Sequence, residues 1–188
     1  MVAMAAAPEQ EQEITLGPRI SSNEAEYGEI ADFLFDEAAL LDGDRHKEWL
    51  ELTTEDVVYI MPVRRSLYRK EGRGIDYRSV HNEDDRGTLA QRVRHIVEAP
   101  SARHREPPPR MRRQVSNIVV HKGDQENEYL VNSNIVLFRN RFRDPTYDIL
   151  TAERHDVIRR TSEGLRLANR QILVDQAMLG GSYIDVFL

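Results

Sequence analysis

The sequence predicts an α+β domain: a cone-shaped, curved antiparallel sheet packed over N-terminal helices. Three long runs in the last third of the chain, 128–142, 147–161 and 165–178, alternate in hydropathy over part of their length and are separated by turn sequences. A strand of about 14 residues spans roughly 45 Å, which is long for a flat sheet in a small domain. Such strands usually curl, and helices then fill the concave side.

Two helices are predicted before the first strand. Residues 23–42 form an amphipathic helix because apolar residues recur with helical spacing, at Tyr27, Ile30, Phe33, Leu34, Ala38 and Leu41. A second, short helix follows over 44–52. Asp44 can cap it, and it carries Trp49, the only tryptophan.

The middle of the chain is less regular. An apolar run predicts a first strand over 57–63, and the charged, glycine-containing residues 64–86 are predicted to form a loop. Helical spacing returns over 87–98. An arginine- and proline-rich connection over 99–110 ends in three prolines, which favour a stiff, extended chain. A further strand is predicted over 111–121.

Residues 1–20 are predicted to form a flexible N-terminal arm, and residues 21–188 a single α+β cone domain. The arm is polar and acidic, and its proline and glycine residues disfavour regular structure. It lacks the basic start and the apolar segment of a signal peptide. No apolar run approaches the ~18 residues of a membrane span. The sequence therefore predicts a cytoplasmic protein that has no membrane partner.

The charges are divided unevenly along the chain. Residues 1–56 hold 15 acidic and 3 basic side chains, whereas residues 57–188 hold 17 acidic and 23 basic ones. The two parts can complement each other within the fold, or they can orient a partner subunit. The net charge of −6 argues against a general nucleic-acid-binding protein.

Six segments of the chain, taken in their order and spacing, resemble one protein family. They are DFLFDEAALLDGDRHKEWLEL (32–52), DVVYIMPVR (56–64), RRQVSNIVV (112–120), VNSNIVLFRNR (131–141), ERHDVIRR (153–160) and LANRQILVDQAML (167–179). The chain resembles the β (small) subunit of aromatic-ring-hydroxylating dioxygenases, of the biphenyl, naphthalene and benzoate dioxygenase type. The resemblance covers about residues 25–188. Residues 100–117 depart from the family's pattern, which has a shorter path into the arginine-rich strand.

The resemblance implies a nuclear-transport-factor-2-like cone fold and an α3β3 hexamer that also contains other β subunits. The partner α subunit is expected to carry a Rieske [2Fe-2S] cluster and a mononuclear Fe(II), with electrons delivered from NAD(P)H by separate electron-transfer proteins. This chain is expected to hold no cofactor. Its implied role is mainly structural: it scaffolds the catalytic α subunits for cis-dihydroxylation of aromatic hydrocarbons.

The residues themselves offer little metal chemistry. The chain contains no cysteine, which excludes thiolate zinc sites and a Rieske centre, since the latter needs two cysteines and two histidines. A non-haem iron site needs two histidines and a carboxylate. The nearest set is His104 with Glu106 and either His121 or His155. Such spacings often arise by chance, so loop histidines in a charged segment are the favoured interpretation.

An independent cone-fold lyase or isomerase is the alternative function. Its lumen residues would be Asp44, Trp49, Tyr59 and His104, because a buried Asp–His pair can perform general acid–base catalysis. The structural alternative is that Asp44 caps a helix while Trp49 and Tyr59 pack in the core.

The predicted partner interface is chosen by residue type and position. Arginines bind carboxylates in bidentate pairs across interfaces, and an apolar segment such as 186–188 avoids fraying only if it docks on its own sheet or on a neighbouring subunit. The chosen residues are Arg103, Arg105, Arg110, Arg112, Arg154, Arg170, Val186, Phe187 and Leu188. Residues 92–113 could instead bind phosphate, but no aromatic residue there could stack on bases.

Overall fold

The computed structural model describes residues 16–68, 70, 74–98, 109–140, 145–176 and 186–188. Its helices are α1 (Ala25–Asp42), α2 (His46–Leu50) and α3 (Arg86–Glu98). Its strands are β1 (Arg19–Ile20), β2 (Thr53–Arg64), β3 (Ile75–Asp84), β4 (Arg110–Lys122), β5 (Glu128–Asn140), β6 (Asp148–Thr161) and β7 (Gly164–Val174). The three predicted helices are confirmed to within about two residues at each end. None of the described helices has the length and apolar character of a membrane span.

The seven strands form one curved, mixed sheet in the order β1-β4-β5-β6-β7-β2-β3. The α+β cone is confirmed, and β4 to β7 form the predicted antiparallel meander. One pair differs from an antiparallel sheet, because β2 lies parallel to β7. A parallel pair needs a long crossover, and the chain between these two strands supplies it.

Bulges help to bend the long strands. The register of β4 against β5 shifts between Ser116 and Val119, where Asn117 has a φ of 52°. Asparagine tolerates this left-handed conformation better than most residues, and an extra residue in one strand kinks it and increases its twist. A second shift occurs between Val157 and Ile158, where β6 pairs with β7.

The core lies between the concave face of the sheet and the helices. Helix α1 packs against β4, and the alternation of β5 and β6 directs every second side chain towards it. The fully buried apolar residues include Ile30, Leu34 and Leu41 of α1, Val131, Ile135 and Leu137 of β5, and Ile158 of β6.

Two predictions about irregular segments are wrong in part. Residues 64–86, predicted to form a loop, contain strand β3, which pairs with β2 at the edge of the sheet. The run is polar because an edge strand buries few side chains, so its alternation is weak. The predicted arm, 1–20, ends in β1, where the side chain of Ile20 is buried and its backbone pairs with Val120 of β4.

The uneven charge distribution is partly neutralised within the fold. Acidic side chains of α1 pair with basic side chains of the later strands. These pairs are Glu26 with Lys122, Glu29 with Arg160, Glu37 with Arg154 and Arg170, and Asp42 with Arg113. Of the two uses predicted for the asymmetry, mutual complementarity within the fold accounts for these residues.

Candidate functional site

Four charged side chains lie together inside the cone. Glu37 belongs to the buried face of α1, Arg154 and Asp156 to the inner face of β6, and Arg170 to β7, directly opposite Asp156. Each is 3% exposed or less. Two positive and two negative side chains therefore balance each other in the core. We call these four residues the ion cluster.

Arg170 is fully satisfied by the groups around it. Its Nε and Nη2 donate to the two carboxylate oxygens of Asp156 at 2.9 and 2.8 Å. Its Nη1 and Nη2 donate to the two oxygens of Glu37 at 2.5 and 2.9 Å, and Nη1 also donates to the Leu188 carbonyl at 2.9 Å. A guanidinium group has five N–H donors, and here five acceptors receive them.

Glu37 is also held by Arg154 of the ion cluster and by Trp49 of α2. Arg154 Nη1 donates to Glu37 Oε2 at 3.3 Å, and Arg154 Nε donates to Ser133 Oγ at 3.1 Å. Trp49 Nε1 donates to Glu37 Oε1 at 3.0 Å. Glu37 is therefore held by three side chains from three different elements, which links α1 and α2 to the sheet.

The electrostatics favour the charged forms of Glu37 and Arg170. Burial alone would raise the pKa of the Glu37 carboxyl, but Arg170 and Arg154 outweigh it and hold that pKa below its usual value. Burial would lower the pKa of Arg170, and the carboxylates of Asp156 and Glu37 instead raise it well above its usual value. A carboxylate that stays ionised between two arginines is a poor proton donor at neutral pH. The ion cluster therefore suits a structural role.

Residues 186–188 fill the space beside the ion cluster. The ring of Phe187 stacks on Trp49 at a centroid distance of 4.2 Å and meets Tyr59 edge-on at 6.3 Å. The guanidinium of Arg92 lies 4.5 Å from the centre of the Phe187 ring, in cation–π geometry. All three residues of the segment are buried.

The backbone of this segment is also hydrogen-bonded. Arg113 Nε and Nη2 donate to the Phe187 carbonyl at 3.1 and 2.7 Å. The Tyr59 hydroxyl donates to the Leu188 carbonyl at 3.1 Å and accepts from the Leu188 amide at 2.8 Å. Arg113 is in turn paired with Asp42 at 2.7 Å. The segment is thus joined to α1 and to three strands.

His46 adds a pH dependence to this region. Its buried ring lies 6.0 Å from that of Phe187, centroid to centroid. Burial lowers the pKa of His46, and the positive charge of Arg113 adds to this effect, although a hydrogen bond to the backbone of Asp44 and the charge of Asp44 oppose it. The folded state therefore favours neutral imidazole.

We expect the free energy of unfolding to fall as the pH drops below the ordinary histidine pKa of about 6.5. In that range the unfolded chain binds a proton that the folded chain resists, until the pH reaches the lower folded-state value. Urea unfolding at pH 7.5 and pH 5.5 measures the loss. A His46→Gln variant should show a smaller loss over this interval, and an equal loss would exclude His46 as the cause.

Several residues predicted to form the partner interface are buried inside the chain's own fold. Arg154 and Arg170 belong to the ion cluster, and residues 186–188 dock on the chain's own helices and strands. The interface prediction is therefore wrong for these five residues. The alternation of β6 places Arg154 on the face of Ile158, and the alternation of β7 places Arg170 on the face of Ile172; both are the inner face.

The predicted lumen residues are only partly brought together. Trp49 and Tyr59 are fully buried, with ring centroids 6.3 Å apart. Asp44 is exposed, with a φ of 56°, in the turn between α1 and α2. Its placement in the lumen is therefore wrong, because the turn directs the chain outward there. His104 lies outside the described residues.

Of the four other arginines predicted for the interface, the structure describes two. Arg110 and Arg112 are exposed on β4, whereas Arg103 and Arg105 lie outside the described residues.

Sequence reasoning missed Glu37, Asp156, Arg92 and Arg113. The first two could have been found, because Glu37 has the helical spacing of Leu34 and Leu41, and Asp156 shares the strand parity of Ile158.

The histidines do not assemble a metal site in the part of the chain that is described. No group of three or more His, Cys, Asp or Glu side chains there has metal-binding geometry. His155 Nε2 lies 2.8 Å from Glu153 Oε1, which is a two-residue contact. The predicted set around His104 and Glu106 falls outside the described residues.

Comparison with known proteins identifies relatives across most of the chain. The beta subunit of benzene 1,2-dioxygenase from Pseudomonas putida is 34% identical over 165 residues, 85% of this chain and 87% of that protein. The beta subunit of biphenyl 2,3-dioxygenase from Rhodococcus jostii is 33% identical over the same length and the same shares.

Solved structures share the architecture. Naphthalene 1,2-dioxygenase with indole bound superposes with a TM-score of 0.76 and 23% identity, covering 90% of this chain and 95% of that one. The beta subunit of benzoate 1,2-dioxygenase from Burkholderia mallei gives a TM-score of 0.63 at 17% identity, covering 87% and 99%. These likenesses confirm the nuclear-transport-factor-2-like fold. The family model described as "Ring hydroxylating beta subunit" matches residues 36–180, and the chain belongs to that family.

Proposed function

We propose that this chain is the non-catalytic small subunit of a Rieske non-haem iron dioxygenase, where it scaffolds the catalytic α subunits. One observation carries the proposal beyond family membership. The interior of the cone is occupied by the ion cluster and by Phe187 stacked on Trp49. Among the described residues, both carboxylates of the ion cluster, Glu37 and Asp156, are paired with arginines, which favours a rigid fold over chemistry of its own.

The proposed assembly is α3β3, in which this chain contacts α subunits and other β subunits. Its support is the resemblance of the six segments together with the shared fold. In such a ring, the Rieske cluster of one α subunit would lie near the iron of the next. A rigid small subunit would fix that spacing, and electron transfer depends on it.

The metal centres are assigned to the α subunit. A Rieske [2Fe-2S] cluster requires two cysteine ligands, and this chain has none, so its residues do not fit that group. We assign the mononuclear Fe(II) to the same partner. NAD(P)H would supply electrons through separate electron-transfer proteins. In this proposal, the residues of this chain do not take part in the oxygenation.

The substrate class follows from the relatives. Their names include benzene, chlorobenzene, biphenyl and 3-phenylpropionate or cinnamic acid. The common feature is a benzene ring. We therefore propose that the complete enzyme adds both atoms of dioxygen to an aromatic ring, as a cis-dihydroxylation.

Reconstitution with the α subunit tests the scaffold function. The α subunit with this chain and its electron-transfer proteins should oxidise benzene or biphenyl, whereas α alone should assemble incompletely and turn over slowly. Equal turnover without this chain would contradict the proposal.

One variant separates this function from the lyase or isomerase. Because Asp44 is exposed, the informative change is His104→Ala, which removes the imidazole of the other predicted acid–base residue. A scaffold keeps full turnover in the reconstituted complex with this change. An enzyme that used His104 would lose activity while remaining folded.

A further inference from the structure

A small surface notch lies where β4, β5 and β6 meet, at the end of the sheet. It has a volume of about 190 Å³ and is lined by Arg110, Met111, Arg112, Phe138, Asn140 and Tyr147. The strand register builds it, because Arg112 lies opposite Phe138, and Phe138 lies opposite Ile149 of β6. Side chains in one cross-strand row share a face of the sheet.

The floor and rim of the notch are unusually apolar for a surface. Tyr147 is 63% exposed and Ile149 is 49% exposed, and both adjoin the half-buried Phe138. Aromatic residues, methionine and arginine are the types enriched in protein interfaces, and tyrosine and arginine often dominate their binding energy. A rim of this composition predicts a protein partner.

The positive charges of the two notch arginines are only partly neutralised by the described carboxylates. Within the described residues, Arg110 has no carboxylate partner. Arg112 forms a salt bridge of 3.6 Å with Asp42, and the Arg112 side chain remains 76% exposed. Asp42 is already held by the amide and the guanidinium of Arg113, at 3.0 and 2.7 Å. Among the described residues, Arg110 therefore faces no carboxylate and the exposed Arg112 shares Asp42 with Arg113, so both guanidinium groups can bind a carboxylate of a partner.

The neighbouring acid does not neutralise them. Asp148 is held by Arg139, whose Nε and Nη2 donate to it at 3.1 and 2.8 Å. Two cations are also few for a nucleic-acid site, because nucleic-acid affinity comes largely from neutralising many phosphates. The chemistry that matches best is one carboxylate next to one apolar side chain.

We infer that this notch is a docking site for an acidic segment of the α subunit. An Asp or Glu of that segment binds Arg110 and Arg112, and a neighbouring aromatic or aliphatic side chain inserts between Phe138 and Tyr147. The inference rests on the proposed scaffold function and adds the location and the chemistry of the contact.

Affinity measurements with the α subunit test the docking site. The double variant Arg110→Glu/Arg112→Glu and the single variant Tyr147→Ser should each raise the dissociation constant for α by about 10- to 100-fold. These side chains are exposed, so the variants should unfold at the wild-type temperature. The wild-type affinity should also weaken with salt, and that salt dependence should shrink in the double variant.

Matched controls lie at the other edge of the sheet. Arg78→Glu changes an exposed arginine of β3, and Tyr68→Ser changes a tyrosine that is 77% exposed. Neither should alter the affinity. A photoreactive benzoylphenylalanine at position 147 should cross-link to a peptide of α that contains Asp or Glu.

The outcomes distinguish this inference from the proposed function. If wild-type chain fails to bind α, the scaffold function itself fails. If wild-type chain binds but the notch variants bind equally well, only the docking site is overturned. Cross-linking to a second β subunit, to nucleic acid or to a basic peptide of α overturns it as well.

Discussion

Replacing Arg170 with leucine should lower the free energy of unfolding by about 3–5 kcal/mol. The change leaves Glu37 and Asp156 buried, with Arg154 as the one remaining cation of the ion cluster. It also removes the donor to the Leu188 carbonyl. Small domains are stable by only about 5–15 kcal/mol, so the variant should approach global unfolding. Urea unfolding gives the difference between variant and wild type.

Arg166→Leu is the matched control on the same strand. Arg166 pairs with Glu163 at 3.2 Å, and the Glu163 side chain is 78% exposed. Surface pairs of this kind contribute at most about 1 kcal/mol, so this variant should stay close to wild type. If Arg166→Leu and Arg170→Leu lowered the free energy of unfolding equally, the buried ion cluster would contribute no more to stability than an exposed ion pair.

Phe187→Ala should also lower the free energy of unfolding by about 3–5 kcal/mol. The ring fills the space between Trp49 and Tyr59 and lies against the Arg92 guanidinium. Its removal leaves a cavity and takes away the aromatic contact of the partly buried Arg92 guanidinium. Trp49 is the only tryptophan of the chain, so its fluorescence reports both the local change and the unfolding transition.

Phe35→Ala provides the comparison, because Phe35 belongs to α1 but is 49% exposed. Its loss should lower the free energy of unfolding by no more than about 1 kcal/mol. A Phe187→Ala variant with wild-type stability would mean that residues 186–188 contribute little to the fold in solution.

The sequence predicted the elements whose periodicity is set by burial on one side. Helix α1 and strands β5 and β6 are long and have one face in the core, so their patterns are clear. Strand β3 was missed because it is an edge strand with few buried side chains. The parallel pairing of β2 with β7 was also missed, since a strand's own pattern does not identify its neighbour.

The site was predicted less well than the fold, and the reason is physical. Arg154 and Arg170 look like surface or interface residues because arginine is seldom buried. Their burial depends on Glu37, which comes from a helix more than 100 residues earlier in the chain. Hydropathy patterns describe one element at a time, and a neutral buried cluster is a property of three elements together.

The scaffold function is tested most directly by native mass spectrometry of this chain co-expressed with its α subunit, with iron measured on the same sample. The expected result is a complex with equal numbers of the 21.8 kDa chain and the large subunit, three of each. Iron should be lost when the large subunit is removed. A free monomer or dimer of this chain beside an intact, iron-loaded α assembly would contradict the scaffold function.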